Sequence, residues 1–295
     1  MAVEAMAPAK PVVRYRDEFA WWDRIKKPIF YGVLIGWSVV AATPFFLTVV
    51  FSLKPLTHLY EPPFLLPIPF TLENYLKVVT EFRHLFPRWM LNSAFVAGLL
   101  AVVRTLFCAM GGYAFARLRF PGRDLLFWAM LVTMMIPGQV TLIPNFLIIR
   151  QMKLLDSLMA LIVPGIAGAF GVFMMTQFYK NLPRELEEAA MIDGAGWFTI
   201  FFRIVLPISR PALLTLALFT FQGEWNAFMW PLIVLNSPEK FTLPLGLSWF
   251  KGEYYTVYSV VLAGSMFNSV PILLLFFLFQ GYFTRGIALT GLREG

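Results

Sequence analysis

Residues with side chains suited to catalysis or metal binding are few in this chain and lie far apart in the sequence. His58 and His84 have no carboxylate at metal-ligand spacing, and the single cysteine, Cys108, lies within an apolar run. No Gly-Lys dipeptide occurs, so the sequence lacks a phosphate-binding Walker loop. Catalysis, a metal site and a disulfide framework within this chain are therefore disfavoured, and Cys108 is predicted to be a small buried hydrophobe.

Two ionisable residues, Arg104 and Glu224, lie near the centres of long apolar segments. Each costs roughly 2.5 to 3.5 kcal/mol on membrane-insertion scales, so exposure to lipid is disfavoured. We predict that both face the interior of a helix bundle, either paired with each other or lining a substrate path. The other candidates for such a path are Gln139, Asn145, Gln177, Trp225, Asn226 and Asn268. The alternative for each amide is that it ties two helices together.

The elements that must position these residues are membrane helices. Of the 295 residues, 59% are hydrophobic and 14% charged, which is typical of a polytopic membrane protein. The net charge of +7 is spread over short segments between apolar runs, which argues against nucleic-acid binding. Six segments are long enough to cross a hydrocarbon core of about 30 Å as helices. They are 29–53, 90–116, 125–149, 157–179, 211–235 and 259–283.

The distribution of Lys and Arg predicts the sidedness of these spans. The two termini and the loops on their side hold 15 of these residues, whereas the opposite loops hold 8. Both termini are therefore predicted to be cytoplasmic. Residues 1–28 are predicted to form a cytoplasmic segment, and the first span to be a retained signal anchor. Two outside loops are large enough to contact an extracytoplasmic partner.

The loop between the fourth and fifth spans, residues 181–210, is patterned. Asn181 and Pro183 suit a helix start, three glutamates follow in the first turns, and Gly194 suits the helix end. Leu186, Ala189, Ala190 and Asp193 recur at helical spacing on one narrow, mostly small and apolar face. A second amphipathic helix is predicted over Trp197–Leu206, separated from the fifth span by Pro207 and Pro211. From the pattern alone, this loop is either an interfacial helix on the membrane or a docking site for another protein.

The spacing resembles a known signature. Glu188-Ala189-Ala190, then Gly194, Ile204 and Leu206-Pro207 are similar to the EAA signature of permease subunits in ATP-driven importers that use a binding protein. The stretches MIPGQVTLIPNF, WNAFMWPLIVLNSPEKFTLPLGL and GIALTGLREG resemble the maltose-type sugar permeases, and most closely the MalG-type subunit. The similarity covers roughly residues 29–295.

The resemblance implies a fold, partners and site residues. The fold is that of type I ABC importer permeases (MetI-like), with a permease domain at 29–283 and a cytoplasmic tail at 284–295. The partners are a second, MalF-like permease, a MalK-like ATPase dimer that binds ATP and Mg²⁺, an extracytoplasmic sugar-binding protein and the lipid of a prokaryotic inner membrane; this chain itself holds no cofactor. The residues implied to contact the ATPase are Glu188, Ala189, Ala190, Asp193, Gly194, Ile204, Leu206 and Pro207, with tail residues Gly291, Leu292, Arg293, Glu294 and Gly295.

Three questions remain open from the residues. A stand-alone channel or ion-coupled carrier needs no partner, but the spans lack the chain of ionisable residues expected of a proton relay. Trp225 and Trp230 either stack on a sugar ring or belong to the membrane interface, and we favour the interface for Trp230. The carried molecule stays open between a sugar, a polyol and a phosphorylated glycerol.

Overall fold

The computed structural model describes residues 20–81, 84–250 and 257–291, with side chains over 26–81, 84–250 and 257–280. Every regular element in these ranges is helical, which confirms the predicted all-α class. The helices are α1 (Ala20–Ser52), α2 (Glu73–Glu81), α3 (Phe86–Arg117), α4 (Arg123–Thr133), α5 (Leu142–Gln151), α6 (Met159–Gly165), α7 (Ala169–Lys180), α8 (Glu185–Ile192), α9 (Trp197–Ile208), α10 (Arg210–Trp225), α11 (Met229–Val234), α12 (Leu243–Leu247) and α13 (Tyr258–Gly291).

Contacts divide the chain into two compact units, Met1–Thr48 and Val49–Gly295. In the first unit, α1 begins at Ala20, ahead of the predicted span start at residue 29. Pro28 and Pro44 lie inside α1, as proline is tolerated within apolar helices. The predicted N-terminal segment lies partly outside the described residues, which begin at Ala20.

The predicted spans divide into continuous and broken ones. Four helical segments of the described chain are long and apolar enough to cross a membrane, and the bent pair α9–α10 makes up to five. They are 26–52, 86–117, 159–180 and 258–280, with 197–208 and 210–225 as the bent pair. The third predicted span instead consists of α4 and α5, which are 11 and 10 residues long. Turns that include Pro137 and Gly138 separate them, and proline interrupts the backbone ladder.

Within the second unit, buried apolar side chains form two clusters that share α3. The first cluster includes Leu100 of α3 and residues of α6, α10, α11, α12 and α13. The second includes Tyr113 of α3 and residues of α7, α8 and α9. Arg104 lies on α3 between the parts that enter the two clusters, so a charged residue marks the junction of the two apolar cores.

Small residues bring α3 and α7 together. A Cβ atom at Gly112 would lie 2.6 Å from Met175 Cβ, so only glycine permits this approach. Cys108 is fully buried beside Gly171, and its thiol hydrogen-bonds to Gly168 O at 3.4 Å. The prediction that Cys108 is a small buried hydrophobe is confirmed.

Candidate functional site

Arg104 and Glu224 form an ion pair between α3 and α10. Arg104 Nη2 lies 2.6 Å from Glu224 Oε1, and the two side chains are 19% and 21% exposed. Arg104 Nε also donates a hydrogen bond to the carbonyl oxygen of Gly165. Gly165 is the last residue of α6, where helix carbonyls lack a partner and the helix dipole favours a cation. Arg104 and Glu224 were predicted either to pair with each other or to line a substrate path. The structure shows the pair, and both residues also line a cavity.

The cavity beside this ion pair has a volume of about 470 Å³. Gln139 and Asn145 line it, as predicted for a polar path, and the break between α4 and α5 places both there. Trp230 and the hydroxyl-bearing Thr141 and Thr242 complete the polar part of the wall, while leucine, valine, proline, alanine and methionine side chains supply most of the rest. The wall thus combines amides, an indole and a charge pair whose charges cancel. Such a wall suits a ligand with many hydroxyl groups.

Four predicted path residues do not line this cavity. Trp225 is only 2% exposed and its indole N–H donates to Asn268 O at 2.9 Å, so its ring is unavailable to a ligand. The Asn268 amide in turn donates to Asn226 Oδ1 at 3.0 Å. This group ties α13 to the end of α10, which is the alternative role considered for the amides. Gln177, on α7, is also absent from the cavity wall.

Trp230, and not the predicted Trp225, lines the cavity. Its indole N–H donates to Ala160 O at 3.0 Å. That carbonyl is free because Pro164, four residues later, has no N–H to bond it. A proline in α6 thus fixes this ring at the cavity wall, and the membrane-interface interpretation of Trp230 stays a prediction.

The patterned loop folds as α8 followed by α9, as predicted, but α8 begins at Glu185, so Asn181 and Pro183 lie before the helix and not at its start. The turn after α8 has paired bonds, from Ala195 N to Ala190 O at 2.9 Å and from Gly194 N to Met191 O at 3.0 Å. Gly194 has φ of +82°, the left-handed conformation that this type of helix end requires. Gly194 therefore ends α8 for a conformational reason, and a Cβ there would touch nothing within 4 Å.

The predicted contact residues on α8 fall on two faces. Glu188, Ala189 and Asp193 are exposed, whereas Ala190 is 8% exposed and packs in the second apolar cluster. Ala190 is therefore a contact within its own chain, because it packs in a cluster with residues of α3, α7 and α9. The surface that α8 offers to another protein is centred on Glu188 and Ala189.

The remaining residues of the signature lie on α9. Ile204 and Leu206 are partly buried and pack against the second cluster, while Pro207 is exposed. Phe201–Val205 forms a π-helical turn, and α9 meets α10 at an angle of 79°. These residues lie next to the bend between α9 and α10. The tail residues Leu292 to Gly295 lie outside the described residues, and Gly291 ends α13.

Sequence reasoning missed the buried charge pair beneath α8. Arg117 Nε lies 2.7 Å from Glu187 Oε1, with the side chains 4% and 7% exposed. The signal was present as an Arg at the end of a span and a Glu three residues before Ala190, on the same helix face. Glu185 and Glu188 carry the same charge nearby, so the sequence does not distinguish which carboxylate is buried.

Asp156 joins two loops on the side opposite α8. Its carboxylate accepts hydrogen bonds from the backbone of Asn236 and Ser237, the Ser237 hydroxyl and Lys240 Nζ, at 2.5 to 3.0 Å. Burial raises the pKa of Asp156, but these hydrogen bonds outweigh burial and hold the pKa well below its ordinary value. The loop predicted to meet an outside partner is thus fastened to the loop before α6.

We expect Asp156→Asn to lower the free energy of unfolding at pH 7 by about 1 to 3 kcal/mol, because charge-assisted bonds are lost. A depressed carboxyl pKa stabilises the folded state above the unfolded pKa of about 4 and loses that effect as pH falls toward the folded value. The difference in Tm between wild type and variant should therefore shrink between pH 5 and pH 3. A difference that is constant over this range contradicts the assignment. Glu239→Gln, in the same loop, is the matched control.

Within the described ranges, no group of three or more His, Cys, Asp or Glu residues is placed to hold a metal ion. The cavity wall carries no cysteine, serine or histidine beside a base. The site therefore consists of the polar cavity beside Arg104 and Glu224, which α3 connects to the exposed helix α8.

Comparison with known proteins gives three consistent results. Residues 106–289 match the family model described as binding-protein-dependent transport system inner membrane component. The arabinooligosaccharides transport system permease protein AraQ of Halalkalibacterium halodurans is 36% identical, over 87% of this chain and 92% of the relative. The diacetylchitobiose uptake system permease protein NgcG of Streptomyces coelicolor is 32% identical, over 88% and 86%.

A solved structure agrees with these relatives. A chain of a bacterial ABC transporter involved in the import of the acidic polysaccharide alginate is similar with a TM-score of 0.80 and 25% identity. The alignment covers 91% of this chain and all of the other.

Proposed function

Because this chain belongs to the family of inner membrane components of binding-protein-dependent transport systems, we propose that it forms part of the path by which an ATP-driven importer carries a carbohydrate. The chain is a multi-pass permease subunit, and ATP hydrolysis belongs to a separate chain in this family. The predicted relationship to MalG-like sugar permeases is confirmed by the relatives.

The observation that carries the proposal is the cavity of about 470 Å³ around Arg104 and Glu224. Its volume falls in the range of small-molecule sites, and Gln139, Asn145 and Trp230 offer amide and indole groups to sugar hydroxyls and ring faces. Since the two charges cancel each other, the wall favours an uncharged carbohydrate over a phosphorylated polyol or a uronic acid. Arabinooligosaccharides and diacetylchitobiose, named for two relatives, are uncharged carbohydrates.

The proposed mechanism is alternating access. An ATPase dimer, which binds ATP and Mg²⁺, closes and moves α8, and the spans then change from an inward-open to an outward-open arrangement. A second permease chain completes the path, and an extracytoplasmic binding protein delivers the sugar. The exposed Glu188 and Ala189 support this coupling, since they leave one side of α8 free for a helix-in-groove contact.

The proposed sidedness places both termini and α8 in the cytoplasm, on the basis of the 15 to 8 distribution of Lys and Arg. It is testable by cysteine labelling, because the single native Cys108 is fully buried and gives little background. A cysteine at Glu185 should react with a membrane-impermeant reagent only after the membrane is opened. A cysteine at Glu239 should react in intact cells lacking an outer barrier, and the reverse pattern would contradict the orientation.

The function itself is tested in proteoliposomes that contain this chain with its sister permease, ATPase and binding protein. We expect ATP-dependent uptake of neutral oligosaccharides, with stimulated ATP hydrolysis, and weaker uptake of uronic-acid oligomers of the same length. Omitting ATP or the ATPase is the control. Uptake by this chain alone, driven by an ion gradient, would instead support the carrier alternative.

A further inference from the structure

A buried ion pair fastens α8 to the last residue of α3. Glu187 Oε1 accepts a hydrogen bond from Arg117 Nε at 2.7 Å, and Oε2 accepts one from the Tyr113 hydroxyl at 3.3 Å. Arg117 Nη2 also donates to Leu182 O at 2.7 Å, in the turn that leads from α7 to α8. One guanidinium therefore joins α3, this turn and α8.

The pair is almost fully removed from water, with Arg117 and Glu187 side chains 4% and 7% exposed. Desolvating two charges is costly, and their attraction offsets that cost only when the geometry is good and the other polar atoms are bonded. Both carboxylate oxygens of Glu187 have donors here. Apolar side chains of similar volume often give equal stability, so a pair of this kind is better explained by a need for defined position.

Little else fixes the orientation of α8. Of its eight residues, only Glu187 and Ala190 are buried, and the alanine contributes a single methyl group to the apolar contact. The polar bonds of Glu187 therefore set how α8 is rotated about its axis. That rotation decides where Glu188 and Ala189 are presented.

The helix to which α8 is fastened reaches the cavity without a break. The only proline of α3 is Pro87, in its first turn, where proline is tolerated. Arg104, which lines the cavity, precedes Arg117 on this helix by about 20 Å, at 1.5 Å per residue. The other described helices at the cavity wall are short or end beside it, as α5, α6 and α11 do.

We propose that Arg117 and Glu187 are positioning residues that make α8 and α3 move as one body. A displacement of α8 by the ATPase then reaches the Arg104–Glu224 pair through a continuous helix. The proposal rests on the proposed transport function and adds a route for the coupling within this chain.

The test compares variants in the reconstituted transporter by the ratio of sugar imported to ATP hydrolysed. Glu187→Gln keeps the shape of the side chain and removes its charge, and we expect the ratio to fall at least tenfold. Arg117→Lys keeps a charge but cannot bond Glu187 and Leu182 with the same fork, so the ratio should fall at least threefold. The double variant Arg117→Glu with Glu187→Arg should recover part of the lost ratio.

Glu185→Gln, an exposed carboxylate on the same helix, is the matched control and should keep the wild-type ratio. A purely structural role predicts less assembled complex but an unchanged ratio in what assembles, and that result would overturn the proposal. If Glu187→Gln does not assemble, Arg117→Lys decides by the same ratio. Failure of the wild-type complex to import any carbohydrate would count against the proposed function rather than against this pair.

Discussion

Glu224→Ala should reduce sugar uptake at least tenfold while the chain still inserts in the membrane. The variant leaves Arg104 unpaired at the junction of the two apolar clusters. Breaking a fully buried pair costs about 3 to 5 kcal/mol, and the roughly one-fifth exposure of these side chains places the cost at the lower end. Uptake by the assembled transporter, normalised to the amount of chain in the membrane, is the measurement.

The charge swap Arg104→Glu with Glu224→Arg should restore only part of the uptake. A carboxylate at position 104 accepts hydrogen bonds but cannot donate one to Gly165 O, so one of the two native contacts stays lost. Gln222→Ala, an exposed polar residue two positions from Glu224, is the control and should transport normally. Normal uptake by Glu224→Ala would remove the cavity from the proposed path.

Gly194→Asp should abolish uptake and leave ATP hydrolysis no longer stimulated by the binding protein. Residue 194 needs a positive φ, which aspartate adopts less readily than glycine. An aspartate also adds negative charge at the carboxyl end of α8, where the helix dipole is already negative. The turn should open, and the exposed face of α8 should lose its defined position.

A graded series separates the backbone effect from the charge effect. Asparagine tolerates the left-handed conformation and is neutral, so Gly194→Asn should keep most of the uptake, with Gly194→Ala between Asn and Asp. The open space around this position excludes a steric clash as the cause. Equal uptake by the Asp and Asn variants would show that charge at this turn is unimportant.

The charged residues within the spans show how much of the site can be predicted from the sequence. The cost of lipid exposure was enough to turn Arg104 and Glu224 inward, and the sequence therefore predicted a pair or a path. The two residues are 120 positions apart, so their contact depends on how α3 and α10 pack. The hydrogen bond from Arg104 to Gly165 O depends on the residue at which α6 ends, and no local sequence pattern indicated that residue.

For the two tryptophans, the structure places at the cavity the ring that the sequence did not favour for it. Trp225 and Trp230 are of one residue type, five positions apart, and the sequence favoured Trp225 for the path and the membrane interface for Trp230. Pro164 on another helix leaves Ala160 O free to hold the Trp230 ring, whereas Asn268 holds Trp225 away from the cavity wall. Such contacts join distant segments, so they follow from packing alone.

The sequence by itself determined the membrane class, the all-helical class and the position of the α8 turn. These features depend on local physics: hydropathy over about 20 residues, the loss of a backbone donor at proline and the positive φ that favours glycine. Tertiary structure decided which of three neighbouring glutamates is buried, which face of α8 stays free and which side chains line the cavity. These choices are set by long-range packing, because identical residues differ only in what the rest of the chain places beside them.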